Sequence, residues 1–307
     1  MKQILLMIAL VGCGKKPAEE PVFNQGRPDV TKPSKPPAKT FAETKAKAEA
    51  GDARAQSNLG VMYGKGQGVK QDLKEAFEWW KKAADQGDAA AQTSLGAMYA
   101  KGQGVEQDFK EAVKWFQKAA DQGFSQAQYD LGKMYRGGQG VKQDFKEAVK
   151  WYRKAADQGY ANVQYGLGVR YGKGEGVEQN FKEAVKWYRK AAEQGYDYAQ
   201  YGLGVMYQNG QGVEQDFKEA VKWYHKAAEQ GYAEAQHRLG YRYYKGEGVP
   251  QSIVSSYVWH NIAAANGHAT AKKNKGIIAK NMRSDQIAEG QKLSREMIKK
   301  NPKLLNK

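Results

Sequence analysis

The sequence predicts an all-α protein, a solenoid built from antiparallel helix pairs. The first observation is a glycine that recurs every 36 residues without an insertion. These glycines are Gly51, Gly87, Gly123, Gly159, Gly195, Gly231 and Gly267. The second is that each interval contains two stretches with the spacing of buried helical residues, separated by a Gly-x-Gly-Val motif. A repeat of this length is typical of stacked helical units.

The first stretch of each unit predicts a helix with one buried stripe. In the second unit, Ala91, Leu95 and Tyr99 lie at positions i, i+4 and i+8 and share one helix face. Gly96 lies beside this stripe, although glycine in a helix interior costs about 1 kcal/mol relative to alanine. Its recurrence in each unit predicts a close approach to a neighbouring helix. The equivalent residues are Gly60, Gly132, Gly168, Gly204 and Gly240.

A glycine motif and a capping box separate the two helices of a unit. Gly102 is expected to end the first helix, because glycine adopts the left-handed conformation of a C-terminal cap. Asp108 and Glu111 have the spacing of a capping box for the second helix. Capping is favoured over a catalytic acid-base pair, because the same spacing returns at each helix start. The other pairs are Asp72/Glu75, Asp144/Glu147, Asn180/Glu183 and Asp216/Glu219, with Ser252/Ser255 as a weaker cap in the sixth unit.

The second stretch predicts a helix with a buried aromatic and aliphatic face. Phe109, Val113 and Phe116 follow the spacing of a buried stripe, and the lysines between them lie mostly outside it. One position of this helix holds six of the seven tryptophans of the chain. They are Trp79, Trp115, Trp151, Trp187, Trp223 and Trp259. Because each unit carries this side chain, we expect it to belong to the core.

The repeated unit resembles the Sel-one-like repeat, a relative of the tetratricopeptide repeat with a longer loop. The resemblance rests on Ala-x-Ala-Gln-x-x-Leu-Gly-x-Met-Tyr, then Gly-x-Gly-Val, then Asp-Phe-Lys-Glu-Ala-Val-Lys-Trp-Tyr. It implies a right-handed α-solenoid and a role in binding other proteins. The six units of residues 52–267 are 52–87, 88–123, 124–159, 160–195, 196–231 and 232–267.

Capping helices are expected at both ends of the array. Residues 40–51 resemble the second half of a unit, and residues 268–300 are expected to form C-terminal capping helices. Residues 301–307 read as a basic tail, so removal of the chain from Lys299 onward is expected to change stability little. The residues predicted to face inward from the last helix are Ile287, Leu293, Met297 and Ile298.

The amino terminus predicts export. Residues 4–11 form an apolar run that is too short to span a bilayer, which needs about 20 residues, but that suits a secretory signal. Leu10-Val11-Gly12-Cys13 resembles the cleavage box of bacterial lipoproteins. The resemblance implies a signal peptide over residues 1–12 and a lipid on Cys13, the single cysteine. The alternative is an accidental apolar start.

A tether is expected between this signal and the array. Residues 14–39 contain six of the eight prolines, which favours a disordered spacer over residues 13–39, with a proline-motif ligand as the alternative. By resemblance to lipoproteins, Gly14 after the cysteine favours the outer membrane over the inner one. The protein is therefore expected to be lipid-anchored through Cys13 and to face the periplasm or the cell surface.

The distribution of charge argues against nucleic acid as a partner. The chain has a net charge of +16, yet residues 51–267 contain 29 basic and 25 acidic side chains. Residues 268–307 contain 11 basic and 3 acidic side chains, which either contact an anionic surface such as lipid or keep the protein soluble. A monomer is expected.

The sequence predicts no catalytic, metal or cofactor site, and the protein is expected not to be an enzyme. The four histidines, His225, His237, His260 and His268, lie at different repeat positions or in different units, whereas metal ligands need closer grouping. Recurrent Gly-x-Gly ends helices here and lacks the strand-to-helix context of a phosphate-binding loop.

Two functions remain: a protein-interaction scaffold of the bacterial cell envelope, or a module that binds cell-wall glycan such as peptidoglycan. The six units differ most on one face of the first helix. We expect that packing against neighbouring helices does not determine which residues lie on this face. By resemblance to tetratricopeptide-like solenoids, this face lines the concave side of the array. The alternative is that its tyrosines cover neighbouring helices. The predicted partner-binding residues are Tyr129, Lys133, Arg136, Tyr165, Arg170, Tyr201, His237, Tyr241 and Arg242.

Overall fold

Helices alternate along the chain because each unit carries two amphipathic stretches with a stop after each. A computed structural model describes residues 38–305, in which the regular elements are fifteen α-helices and a short 3-10 turn at Pro302–Leu304. The helices are α1 (Ala38–Glu49), α2 (Ala53–Lys65), α3 (Leu73–Asp85), α4 (Ala89–Lys101), α5 (Phe109–Asp121), α6 (Ser125–Gly137), α7 (Phe145–Asp157), α8 (Ala161–Lys173), α9 (Phe181–Glu193), α10 (Asp197–Asn209), α11 (Phe217–Glu229), α12 (Ala233–Lys245), α13 (Ile253–Ala265), α14 (Ala269–Ala279) and α15 (Ser284–Lys300). The predicted all-α class and paired helices are confirmed.

Predictions for the amino terminus lie outside these residues. The signal peptide, Cys13 and nearly all of the tether precede α1. Among the described residues, none of the helices combines the length and the apolar character needed to cross a bilayer.

The two glycines of each loop act on different parts of the structure. Gly102 has a φ of 64° and its N–H donates to the carbonyl of Met98, so it ends α4 as predicted. Gly104 has a φ of 73°, and a Cβ on it would lie 2.5 Å from the carbonyl oxygen of Leu73 in the preceding unit. The second glycine therefore permits both the turn and a close contact between units.

Aspartate caps four of the six second helices, Asn180 and Ser252 cap the other two, and in the second unit the predicted reciprocal bond is replaced. Asp108 accepts hydrogen bonds from the N–H groups of Lys110 and Glu111 at 2.8 and 3.1 Å. The side chain of Glu111 instead pairs with Lys114, one helical turn further on. Ser252 also caps its helix by accepting from the N–H of Ser255 at 3.1 Å.

Each unit buries one leucine of its first helix and places an aromatic ring over the adjacent glycine. Leu95 is fully buried, and a Cβ on Gly96 would lie 2.6 Å from the ring of Phe116. The glycine therefore marks a helix contact, as predicted, and the group that approaches it is an aromatic side chain. The equivalent rings belong to Trp80, Tyr152, Tyr188, Tyr224 and His260.

Two glycines in α10 allow a matched test of this contact. Gly204→Ala is expected to destabilise the protein by about 1–3 kcal/mol, because its Cβ would lie 2.6 Å from the Tyr224 ring. Gly202→Ala is expected to stabilise by up to about 1 kcal/mol, because its Cβ would meet no atom closer than 3.6 Å. Urea unfolding of both variants measures the difference, and shifts of the same sign would refute the contact.

Buried glutamines join successive units. The side-chain amide of Gln92 donates to the carbonyl of Ala84 in the preceding helix at 3.1 Å. Its oxygen accepts from the amide of Gln122 at 2.8 Å. Because buried amides need partners, this bridge orients each first helix against both second helices that flank it. The other pairs are Gln56/Gln86, Gln128/Gln158, Gln164/Gln194, Gln200/Gln230 and Gln236/Asn266.

The C-terminal residues close the last of these bridges. The carbonyl of Leu304 accepts from the side-chain amides of Gln236 and Asn266 at 2.9 and 2.7 Å. The Leu304 side chain is 2 % exposed and joins the core of the last units. The expectation that removal from Lys299 onward changes stability little is therefore wrong, because residues 301–304 belong to the folded array.

The last helix faces the array largely as predicted, because Met297 and Ile298 pack against the core of the last units and Ile287 is half-buried. Leu293, which was expected to point inward, is 37 % exposed. The buried residues of α15 are Gly290 and Ser294. A Cβ on Gly290 would lie 2.7 Å from the ring of Tyr257, so α13 and α15 pack closely at small residues.

Candidate functional site

The variable face of the first helices carries a row of aromatic side chains. Tyr129, Tyr165, Tyr201 and His237 occupy the same position of α6, α8, α10 and α12. Each ring packs on a ring from the second helix of its own unit. The pairs are Tyr129/Tyr152, Tyr165/Tyr188, Tyr201/Tyr224 and His237/His260, with centroids 5.5, 5.6, 5.8 and 5.2 Å apart. Contact with the second helix of the same unit therefore helps to determine which residue type this position holds.

Accessibility separates the predicted binding residues into three groups. Lys133 is exposed, and its ammonium group lies 3.7 Å from the carboxylate of Asp130. Tyr129, Arg170 and Arg242 are buried. The half-buried residues are Arg136, Tyr165, Tyr201, His237 and Tyr241.

Both buried arginines lie against rings of the array. The guanidinium of Arg170 donates to the carbonyl of Gly166 at 2.8 Å and lies 4.2 Å from the centroid of Tyr152. Arg242 pairs with Glu247, and its guanidinium lies 5.1 Å from the Tyr241 ring. These two arginines therefore stabilise the first helices, as cations stacked on aromatic faces do.

Five tyrosines from three consecutive units form one surface cluster, which we call the tyrosine patch. Its members are Tyr165, Tyr196, Tyr198, Tyr201 and Tyr232. Ring centroids of neighbours are 5.0 to 6.0 Å apart. Tyr198 is 41 % exposed, and the other members are half-buried. The patch offers aromatic faces to a ligand beside the predicted row.

Sequence reasoning missed three members of this patch. Tyr196 and Tyr232 occupy the position that caps the first helix, which in the first two units is Asp52 and Asp88. Neither tyrosine makes a side-chain cap hydrogen bond, and loss of such a cap typically costs about 1 kcal/mol. Replacement of a capping aspartate by an aromatic residue was the signal for these two members. Tyr198 follows two residues after Tyr196.

The row residue of one unit also contacts the residue that precedes the first helix of the next unit. Near the amino terminus, the hydroxyl of Ser57 donates to the carboxylate of Asp88 at 3.1 Å. The same two positions are joined by rings further along the array. The ring pairs are Tyr165/Tyr196, Tyr201/Tyr232 and His237/His268. A ligand on this face would therefore contact the junctions between units.

Burial raises the pKa values of titratable groups in the patch. The pKa of Tyr165 rises to about 12, and this phenol is neutral at physiological pH, as an unperturbed tyrosine also is. Burial also raises the pKa of the Asp197 carboxyl. Asp130, on α6, likewise has its pKa raised by burial, but it has Gln126 and Lys133 as partners.

Three of the four histidines meet at the last unit, although their spacing in the sequence did not suggest a cluster. The rings of His237 and His268 are stacked with centroids 4.6 Å apart, and His260 packs edge-on against His237. Burial lowers the pKa of His237 to about 3 and that of His260 to about 4. The hydrogen bond from His268 lowers the pKa of Glu234 to about 2. No group of three or more His, Cys, Asp or Glu within residues 38–305 is arranged to hold a metal ion.

A cavity of about 390 Å³ lies between the first two units, where α2, α3 and α4 contribute to its lining. Val61, Trp80, Ala97 and Met98 contribute to its wall. The indole N–H of Trp80 donates to the carbonyl of Ser57 at 3.1 Å, which fixes the ring. The first helices therefore present apolar space near the amino terminus and aromatic rings in the middle.

Comparison with known proteins gives the same architecture. The Sel1 repeat family matches six consecutive segments, residues 53–88, 89–124, 125–160, 161–196, 197–232 and 233–268. A Sel1 repeat protein from Oxalobacter formigenes is 34 % identical, with a TM-score of 0.59 over 74 % of this chain and 96 % of that one. None of the curated proteins matches the sequence.

Two further solved structures are similar in sequence. A protective antigen of uropathogenic Escherichia coli with this repeat fold is 31 % identical over 87 % of this chain and 73 % of that one, with a TM-score of 0.40. The immunity protein Pa5087 of Pseudomonas aeruginosa is 25 % identical over 74 % of this chain and 81 % of that one, with a TM-score of 0.38.

Proposed function

Because the chain belongs to the Sel1 repeat family, whose members are scaffolds for protein interactions, we propose that it is a non-enzymatic scaffold of the bacterial cell envelope. Its partner is a protein or peptide that binds the first-helix face, which by analogy with tetratricopeptide-like solenoids we take to be the concave side of the array. The observation that carries this proposal is the tyrosine patch, since partly exposed tyrosines are among the residues that dominate binding energy.

The patch is suited to a partner that lies across several units. Its members come from α8, α10 and the residues that precede α10 and α12, so one ligand would contact three units at once. Lys133 and Arg136, which were also predicted to bind the partner, lie on α6 of the preceding unit. A solenoid offers such an extended surface without a closed pocket.

Mutation of the row is expected to abolish partner binding. The variant Tyr165→Ala, Tyr201→Ala should lose the protein that the parent captures from solubilised cell envelope, identified by mass spectrometry. Because both rings rest on Tyr188 and Tyr224, circular dichroism must show that the variant stays helical. Tyr198→Ala removes a more exposed ring and should also weaken capture, whereas Tyr244→Ala, equally 41 % exposed but outside the patch, should not.

The captured molecule also decides between the two candidate functions. Unchanged capture by the double variant and by Tyr198→Ala would refute binding at this face. Retention of the parent on purified peptidoglycan, lost in the same variants, would favour the glycan-binding module over the protein scaffold.

The envelope location rests on residues 4–13, which lie outside the described residues. We expect Cys13 to carry the lipid that holds the protein at the membrane, since it is the single cysteine and follows the apolar run directly. Cys13→Ser should move the protein from the membrane fraction to the soluble fraction of the cell envelope. A variant that sediments with membranes as fully as the parent would contradict lipidation.

A further inference from the structure

A carboxylate without an ionic partner lies within the tyrosine patch. Asp197 is the first residue of α10 and lies between Tyr196 and Tyr198 in the chain. It is half-buried, and its carboxylate accepts a hydrogen bond from the N–H of Tyr198 at 2.9 Å. Within residues 38–305, it forms no salt bridge. Burial disfavours the charged form of this carboxyl and raises its pKa.

Three aromatic rings lie near this carboxylate: Tyr196 and Tyr198 adjoin Asp197 in the chain, and burial, helped by its charge, raises the pKa of Tyr165. The centroids of Tyr165, Tyr196 and Tyr198 form a triangle with sides of 5.5, 6.0 and 5.6 Å. None of these three rings has a cation over it from the described part of the chain. Elsewhere the array places cations over its rings: Lys154 lies 4.0 Å from the centroid of Trp151. The three tyrosine rings therefore have aromatic faces like those that carry a cation at other positions of the array.

Two helix glycines adjoin tyrosines of the patch in the chain. Gly166 and Gly202 each follow a patch tyrosine in the middle of a helix, where glycine costs about 1 kcal/mol relative to alanine. A Cβ on Gly166 would meet only the Arg170 guanidinium, at 3.5 Å, and one on Gly202 would meet nothing closer than 3.6 Å. Packing within the chain does not require either glycine. Their absent side chains leave room for a ligand to approach the backbone.

We propose that the tyrosine patch with Asp197 binds the guanidinium group of an arginine in an extended segment of the partner protein. A guanidinium is planar, stacks on aromatic faces and pairs with a carboxylate through two parallel hydrogen bonds. It is also more weakly hydrated than an ammonium group, so it is desolvated at lower cost. The assignment rests on the proposed scaffold function and specifies the chemistry of its partner.

A pair of blocked tripeptides tests this assignment on the full chain. Acetyl-Gly-Arg-Gly-amide is expected to bind with a Kd on the order of 1 mM, measured by NMR shifts of the tyrosine ring protons. Its citrulline analogue has nearly the same shape without the charge and should bind at least tenfold more weakly. Asp197→Asn should reduce the affinity for the arginine peptide by tenfold or more without lowering the unfolding temperature.

Control variants separate this site from general charge attraction. Tyr198→Ala should weaken binding of the arginine peptide as strongly as Asp197→Asn does, and Tyr244→Ala should leave it unchanged. Equal affinity for the arginine and citrulline peptides, or full affinity in Asp197→Asn, would overturn the proposal. So would absence of saturable binding by the arginine peptide.

Failure here is distinguishable from failure of the scaffold function. If Tyr165→Ala, Tyr201→Ala loses the captured partner while the arginine peptide does not bind, the face is correct and its ligand class is wrong. The chain's own basic residues before α1 are another possible occupant, and Arg27 is among them. If Arg27→Gln changes the tyrosine ring signals of the isolated protein, the site is filled from within and the partner assignment is overturned.

Discussion

Replacement of Trp151 by alanine is expected to lower the free energy of unfolding by about 3–5 kcal/mol. The indole is 4 % exposed and packs among Ala119 and Ala120 of the preceding unit and Leu131 of its own. Because units of a solenoid are stabilised by their neighbours, loss of this side chain weakens two units and the junction between them. The array should then unfold at a lower urea concentration and over a broader range than the parent.

An aromatic residue of the same helix provides the control. Phe145 is also in α7 but is 46 % exposed, so Phe145→Ala should cost less than about 1 kcal/mol. Urea unfolding followed by circular dichroism compares the two. Equal shifts of the unfolding midpoint would contradict a core in which the tryptophan row joins the units.

Leu304→Ala is expected to destabilise the protein by about 2–5 kcal/mol, although it lies near the end of the chain. Its side chain packs into the same core cluster as Leu239 and Trp259. The substitution leaves a cavity there and loosens the backbone that accepts hydrogen bonds from Gln236 and Asn266. Thermal unfolding of the variant measures the loss.

An exposed leucine provides the matched control for this substitution. Leu293→Ala removes the same atoms from a side chain that is 37 % exposed, and it should shift the unfolding temperature much less. Similar shifts for the two variants would show that the C-terminal residues do not contribute to the core.

The sequence predicted the helices well because their signals are local and repeated. Gly102 ends α4 and Asp108 caps α5 through bonds to residues within four positions. Repetition then confirms each assignment several times in one chain. The same reasoning predicted that Gly96 marks a helix contact. It could not predict the Phe116 ring as the contacting group, because that depends on how two helices pack.

The candidate site was only partly predictable for the same reason. The row containing Tyr165 and Tyr201 was visible as a position that varies between copies. Tyr196 and Tyr232 belong to the following units, and only folding brings them to within 5.5 and 5.1 Å of that row. The stacking of His237 on His268 arises in the same way, across a unit boundary.

By itself, the sequence determined the all-α class, the six-unit array and the ends of its helices, since a 36-residue period and local caps depend only on neighbours in the chain. Only the tertiary structure decided which side chains meet between units. It placed Leu304 under Gln236, 68 residues away, and left the Asp197 carboxylate among tyrosines without a cation. Burial and charge pairing depend on groups that are distant in sequence, so no local pattern encodes them.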